Sequence, residues 1–223
     1  MPRIANQALP LQHWCVLSLR PRGQHAALRA AAARNGARTL ALSPFAIEAI
    51  ADAATSAALT QALRADLVLY TSPNTVAMAA TQQSLRPHRG QCVLAVGSAT
   101  QRALRALGVE ALAPRRMDSE GLLAMPQLRD VGSQRIGLVT GTGGRGLIAP
   151  ALQARGADVL RVDIYKRFPA TIGTARWQAL ADALVKPERV VLTLSSAEAL
   201  AAMLRQQPVE LGPSLRKVAV IAA

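Results

Sequence analysis

Apolar residues fall along this chain in short continuous runs, each followed by a longer stretch of helical spacing that stops at a glycine or a turn. Residues 15–20 form the first run, and 24–35 follow with helical spacing up to Gly36, where a left-handed C-terminal cap is expected. The chain is extended again over 39–42. The same ending recurs at Gly108 and at Gly156, each before another apolar run. Further strands are predicted over 66–70, 92–96, 135–140, 159–165, 190–194 and 218–222. Their runs are continuous and not alternating, as for strands covered on both faces. Helices are predicted over 73–81, 99–107, 122–128, 146–155, 174–184 and 197–205. Alternation of this kind predicts an α/β protein built on parallel sheets.

A weak internal echo adds organisation. Val68-Leu-Tyr-Thr-Ser72 resembles Val191-Leu-Thr-Leu-Ser195, and a helix follows each. Two similar units so far apart predict two related α/β domains. The first would be discontinuous, 1–43 plus 172–223, and the second would span 50–165. Segments 44–49 and 166–171 would link them, and two linkers on one side permit hinge motion.

The length, 223 residues, suits this division, and 51% apolar against 17% charged residues supplies a core without a signature of disorder. Aromatics are only 3%, so that core is aliphatic. No apolar run approaches the length of a membrane span, and residues 1–12 lack a signal-peptide pattern, so a cytoplasmic location is expected. Cys15 and Cys92 sit in strand-like stretches without CxxC spacing and read as reduced, buried thiols. His13, His25 and His88 are scattered and make no metal-ligand pattern.

The charge changes the picture more. Twenty-six Lys and Arg against 13 Asp and Glu give +13, which attracts anions over long range. The arginines are spread one or two at a time along helices, with few aromatics for base stacking, which disfavours nucleic acid. An anionic small molecule fits better, and genomic base bias would also give an Arg- and Ala-rich chain.

Ligands of parallel α/β sheets sit beyond the carboxyl ends of the strands. Those junctions are rich in small hydroxyl residues. Ser72 precedes Pro73 as an N-cap before N1, and Gly97-Ser98-Ala99-Thr100 follows the strand at 92–96. Asp118-Ser119-Glu120-Gly121 opens another helix, and Ser195-Ser196-Ala197-Glu198 fits a capping box with Glu three residues after Ser195. Singly, each is a cap. Converging on one cleft, they would offer amides and hydroxyls to carboxylates or phosphates. Gly141-Thr-Gly143-Gly-Arg-Gly146 matches G-x-G-x-x-G, with Asp163 about 20 residues on. It lies in mid-chain without a second mononucleotide half, so an anion-binding glycine turn is preferred to a dinucleotide site. Tyr165 stands out among titratable residues: it ends a predicted strand, before Lys166-Arg167, and is one of two tyrosines.

In order and spacing, these segments resemble the uroporphyrinogen-III synthase family. The resemblance rests on Leu17-Ser-Leu-Arg20-Pro21, Leu69-Tyr-Thr-Ser-Pro-Asn-Thr-Val76, Val96-Gly-Ser-Ala-Thr100, the helix end at Leu104–Gly108 and Asp118-Ser-Glu-Gly-Leu122. The glycine turn at 141–146, Asp163-Ile-Tyr165 and the turn at 193–196 complete it. It implies two Rossmann- or flavodoxin-like domains joined by a two-stranded linker, with the active site in the cleft between them. It implies hydroxymethylbilane as substrate, a linear tetrapyrrole with eight carboxylates, which is dehydrated and closed with inversion of ring D through a spiro intermediate. No cofactor and no metal are implied, nor nucleic acid or membrane; a transient encounter with hydroxymethylbilane synthase is. Tyr165 would be the catalytic acid. Arg20, Thr71, Ser72, Gly97, Ser98, Thr100, Ser119, Gly141, Gly143, Ser195 and Ser196 would bind substrate, largely through backbone amides.

Two features depart from the family pattern. Ser18 stands where the family often has Thr, and the family continues past the strand at 218–222 with a turn, helix, strand and last helix. The first domain is thus expected to be incomplete. The alternative function is a weakly active or inactive homologue that binds anions such as linear tetrapyrroles. A hinge-type anion-binding module and a nucleic-acid binder with steep salt dependence complete the set.

Overall fold

A computed structural model describes residues 9–143, 146–194 and 196–222. Its strands are β1 Cys15–Ser18, β2 Arg38–Ala41, β3 Phe45–Ala49, β4 Leu67–Tyr70, β5 Cys92–Ala95, β6 Arg135–Thr140, β7 Asp158–Asp163, β8 Tyr165–Pro169, β9 Val190–Leu194 and β10 Ala219–Ala222. The helices are α1 Ala26–Arg34, α2 Ala53–Leu63, α3 Pro73–Gln82, α4 Ser98–Arg105, α5 Ser119–Leu123, α6 Ile148–Ala154, α7 Thr174–Ala183, α8 Ala197–Leu204 and α9 Gly212–Leu215. Contacts divide the chain into one unit of residues 1–47 with 168–223 and another of 48–167. The chain leaves the first unit within β3 and returns to it within β8, and these two strands pair as a small sheet of their own.

The first unit holds a parallel sheet in the order β10-β9-β1-β2. Side chains alternate across a strand, so Leu17, Leu40 and Leu192 join Trp177 and Leu180 of α7 and Met203 of α8 in one cluster. Val16 and Val191 join Ala32 of α1 in the other. The continuous apolar runs of β1 and β9 are thereby explained, since both of their faces are covered. All four residues of β10 are exposed, Val220 at 54% and Ile221 at 57%.

The second unit repeats the plan in the order β5-β4-β6-β7, again all parallel. Val68, Tyr70, Val139 and Val162 join one core with α2 and α3, while Leu67, Leu69, Ile136 and Leu138 join another with α6. In each unit an inner strand (β9, β4) leads through a helix to one edge (β10, β5). Its inner neighbour (β1, β6) leads through a helix to the other edge (β2, β7). The pairing closes alike in both: Leu42 N donates to Ser18 O and Ile164 N to Thr140 O, each at 2.9 Å. The echo read from sequence therefore joins β4 to β9. The helix caps Ser72 and Ser196 set its register, one residue from the alignment of Ser72 with Ser195.

Gly36, Gly108 and Gly156 end their helices at φ between +74° and +85°, as the glycine stops predict. Three element expectations change. The run at 159–165 is two strands, broken at Ile164, so Tyr165 opens β8 and does not end β7. The helix predicted over 122–128 is α5 plus a separate 3₁₀ turn at Pro126–Leu128, because Pro126 has no N–H to continue α5. Helix α2 has no predicted counterpart; its Ala- and Thr-rich sequence carries little apolar stripe, and Asp52 starts it by accepting from Thr55 N at 2.7 Å. Cys15 is buried, Cys92 half-buried, and both thiols are free.

Candidate functional site

The parallel order of the second sheet brings the carboxyl ends of β5, β4, β6 and β7 side by side. Sequence-predicted positions fall along that edge: Gly97 after β5, Thr71 and Ser72 after β4, Gly141 after β6 and Tyr165 beyond β7. Thr71 Oγ1 donates to Thr140 Oγ1 at 3.0 Å, tying the ends of β4 and β6 together. Next to Thr140, the ring of Tyr165 lies flat against Gly141: a Cβ built there would run into the ring carbons Cζ, Cε1 and Cε2. Gly141 is needed for this close approach, since its φ is not in the left-handed region. Tyr165 O accepts from Thr142 N at 2.8 Å, which fixes the backbone under the ring. The side chain is half-buried, and its hydroxyl has no hydrogen-bond partner among the described residues.

The other tyrosine is different. Tyr70 is 1% exposed, and burial pushes its phenol well above the ordinary range, so it is a protonated core residue. The basic neighbour of Tyr165 is engaged, since Lys166 Nζ meets Glu48 Oε2 at 3.0 Å.

The helix ends along this edge differ in what they offer. Ser72 and Thr75 form a reciprocal capping box at 3.2 Å each way, so the Ser72 amide is already used. Gly97 caps α4 without a side chain and leaves first-turn amides to a ligand. Ser98 opens α4 and accepts from Arg102 Nη1 at 3.4 Å. Thr100 is 3% exposed, so its hydroxyl is withdrawn from any ligand and that expectation falls. Ser119 is also corrected. The Asp118 carboxylate caps α5 through Gly121 N at 2.7 Å and takes Arg116 Nε at 2.6 Å, so an anion already occupies that helix end.

The glycine turn keeps Gly143 at φ +86° and Gly146 at φ +63°, with residues 144–145 outside the described residues. Asp163 does not wait for a ribose, because its Oδ1 accepts from Arg161 Nη2 at 2.9 Å and Nε at 3.2 Å.

In the first unit, Arg20 is exposed beyond β1 and Ser196 caps α8, accepting from Ala199 N at 3.3 Å. The cap is thus Ser196, with Ala199 three residues on, and the box expected on Ser195 and Glu198 involves Ser195, which lies outside the described residues. Between these elements sits a group that spacing did not reveal. His25 Nδ1 lies 2.9 Å from Ser18 Oγ and Nε2 lies 2.8 Å from Ser43 Oγ, all three residues being buried. Burial, then Arg29, Arg20 and Arg176, lower the proton affinity of His25, so the ring is neutral and bridges two hydroxyls. Partners 7 and 18 residues away leave no local pattern to read.

Against known proteins, the family model described as Uroporphyrinogen-III synthase HemD matches residues 26–223. The chain belongs to the uroporphyrinogen-III synthase family. A uroporphyrinogen-III synthase of Escherichia coli (strain K12) is 35% identical over 123 residues, 51% of this chain and 50% of that relative. The chain thus spans about half the length of the curated relative it matches. Among solved structures, a mutant uroporphyrinogen III synthase of the extremely thermophilic bacterium Thermus thermophilus matches with TM-score 0.59 and 22% identity, over 94% of this chain and 83% of that one. The uroporphyrinogen-III synthetase of Helicobacter pylori 26695 matches at TM-score 0.54 and 13% identity, over 94% and 83%. These two likenesses carry the fold, an α/β chain with two parallel sheets, and the family membership rests on the sequence match. Among the described residues no helix is long and apolar enough to cross a membrane.

Proposed function

We propose that this chain is a uroporphyrinogen-III synthase, a hydro-lyase of tetrapyrrole biosynthesis. It takes hydroxymethylbilane, removes the terminal hydroxyl as water, and closes the macrocycle with ring D inverted. The observation that carries this reading is the Tyr165 ring on Gly141, its hydroxyl without a hydrogen-bond partner among the described residues, at the carboxyl edge of the second sheet in a chain of this family. Departure of hydroxide needs a proton, and Tyr165 is its donor. The residue acts by its position and by hydrogen bonding to the departing hydroxyl.

Binding falls to strand ends of both units. Thr71, Ser72, Gly97, Ser98, Gly141 and Gly143 in the second unit, with Arg20 and Ser196 in the first, receive carboxylates through amides, hydroxyls and a guanidinium. The location is cytoplasmic in this reading, and hydroxymethylbilane synthase is the enzyme it meets.

The test supplies fresh hydroxymethylbilane and separates type III from type I uroporphyrinogen beside an enzyme-free control. Type III in excess is the expected result. Type I alone, at the spontaneous rate, would leave the alternative of a homologue that binds linear tetrapyrroles without turning them over.

A further inference from the structure

A pocket of about 400 Å³ lies wholly within the first unit, beyond the carboxyl ends of β1 and β2. Its wall includes Arg22, Arg29 and Arg176 with His25 and Ser43, and no Asp or Glu lines it. Arg22 is braced, its Nη2 donating to Thr171 O at 2.7 Å, which leaves its other N–H groups to the cavity. Arg29 and Arg176 make no ion pair among the described residues. These cations surround a cavity without a counter-charge.

Two helices begin on this wall. The residues His25 and Ala26 start α1, and Gly173 caps α7; neither helix has a side-chain cap. The partial positive charge of both helix ends adds to the guanidinium groups. On the inner side, the neutral His25 spends both ring nitrogens on Ser18 and Ser43, so the floor is polar but uncharged.

We propose that this pocket is a carboxylate subsite, in which Arg29 and Arg176 with Arg22 hold acid side arms of the tetrapyrrole. The inference rests on the proposed function for the identity of the acid, while the pocket and its cations belong to the first unit and Tyr165 to the second. Separate guanidinium groups around an open cavity suit several carboxylates on flexible arms.

Uroporphyrin III, the oxidised octacarboxylate macrocycle, serves as probe, with binding followed by fluorescence. The Arg29→Gln/Arg176→Gln variant is expected to bind it about tenfold or more weakly than wild type, as for lost charge-assisted hydrogen bonds. An Arg64→Gln/Arg89→Gln control in the second unit is expected to bind within about twofold of wild type, as for exposed charges remote from a site. Both variants change exposed side chains, and unfolding curves check that the fold is kept. Equal binding by the Arg29/Arg176 variant and wild type overturns the proposal, as does an equal loss in the control. Displacement of the probe by millimolar inorganic phosphate at constant ionic strength also overturns it, marking a general anion site. Isomer analysis on the same preparations separates the two readings. Lost binding in the variant with no type III from wild type keeps the pocket and removes the synthase. Type III from wild type with unchanged variant binding does the reverse.

Discussion

The same strand end carries different chemistry in the two units. Counting from the closing hydrogen bonds, Ser18 corresponds to Thr140, Leu42 to Ile164, and Ser43 to Tyr165. In the first unit this corner is sealed: Ser18 and Ser43 are buried and bridged by His25 beneath a ring of arginines. In the second, Thr140 bonds Thr71, and Tyr165 lies on Gly141 with its hydroxyl unengaged among the described residues. On the proposed reading, one scaffold supports two tasks. A corner made rigid and cationic is suited to holding acid arms, and a corner with a half-buried phenol is suited to delivering a proton. Strand β6 is two residues longer than β1, and two residues keep the pleat in phase, so the same faces reach the end of each strand.

The sharpest way to break this comparison is Tyr165→Phe. It leaves the ring on Gly141 and removes only the hydroxyl, so type III formation is expected to slow by roughly a hundredfold, the low end of general acid catalysis. A loss of less than about threefold would place the proton donor elsewhere. Gly141→Ala attacks the same corner through packing. The new methyl group must displace the ring, which costs about 1–3 kcal/mol by overpacking and lowers turnover with it. Urea unfolding alongside the isomer assay reads both.

The opposite corner is tested by stability. His25→Ala leaves two buried hydroxyls without their bridge and opens a cavity, at a cost of about 2–4 kcal/mol in urea unfolding. The pH dependence follows from the direction of the shift. The folded state binds the His25 proton less readily than the unfolded chain, whose pKa is about 6.5. Stability is therefore complete above that value and is lost as pH falls from there through the lower folded pKa. A His25→Gln variant should flatten this part of the profile. The smallest effect belongs to Ser196→Ala, which removes a cap worth about 1 kcal/mol and leaves turnover within about twofold.

Much of this was legible in the chain. Continuous apolar runs and glycine stops predict the parallel sheets, because both follow from local geometry. Ser72 with Pro73 predicts a helix start for the same reason. What local pattern misreads is register and partnership. Ser195 and Ser196 are equally good caps on paper, and only the length of β9 puts Ser196 at the helix start. Asp118 competes with any ligand for α5, so Ser119 looked available when it was not. Thr100 sits on the buried side of α4, which a single turn of sequence does not reveal. His25 reads as an isolated histidine, since its two serines arrive from different strand ends. Tyr165 was legible as a residue at a junction, but its contact with Gly141 is a product of the fold.

The division of labour itself is tested most directly by steady-state kinetics of type III formation for wild type and Tyr165→Phe. The account predicts a kcat lowered by roughly a hundredfold with KM within about twofold, because the phenol acts on the departing hydroxyl while binding lies with the strand-end amides and arginines. A variant that keeps kcat and raises KM would contradict it, since Tyr165 would then be a binding residue and the two corners would share one role.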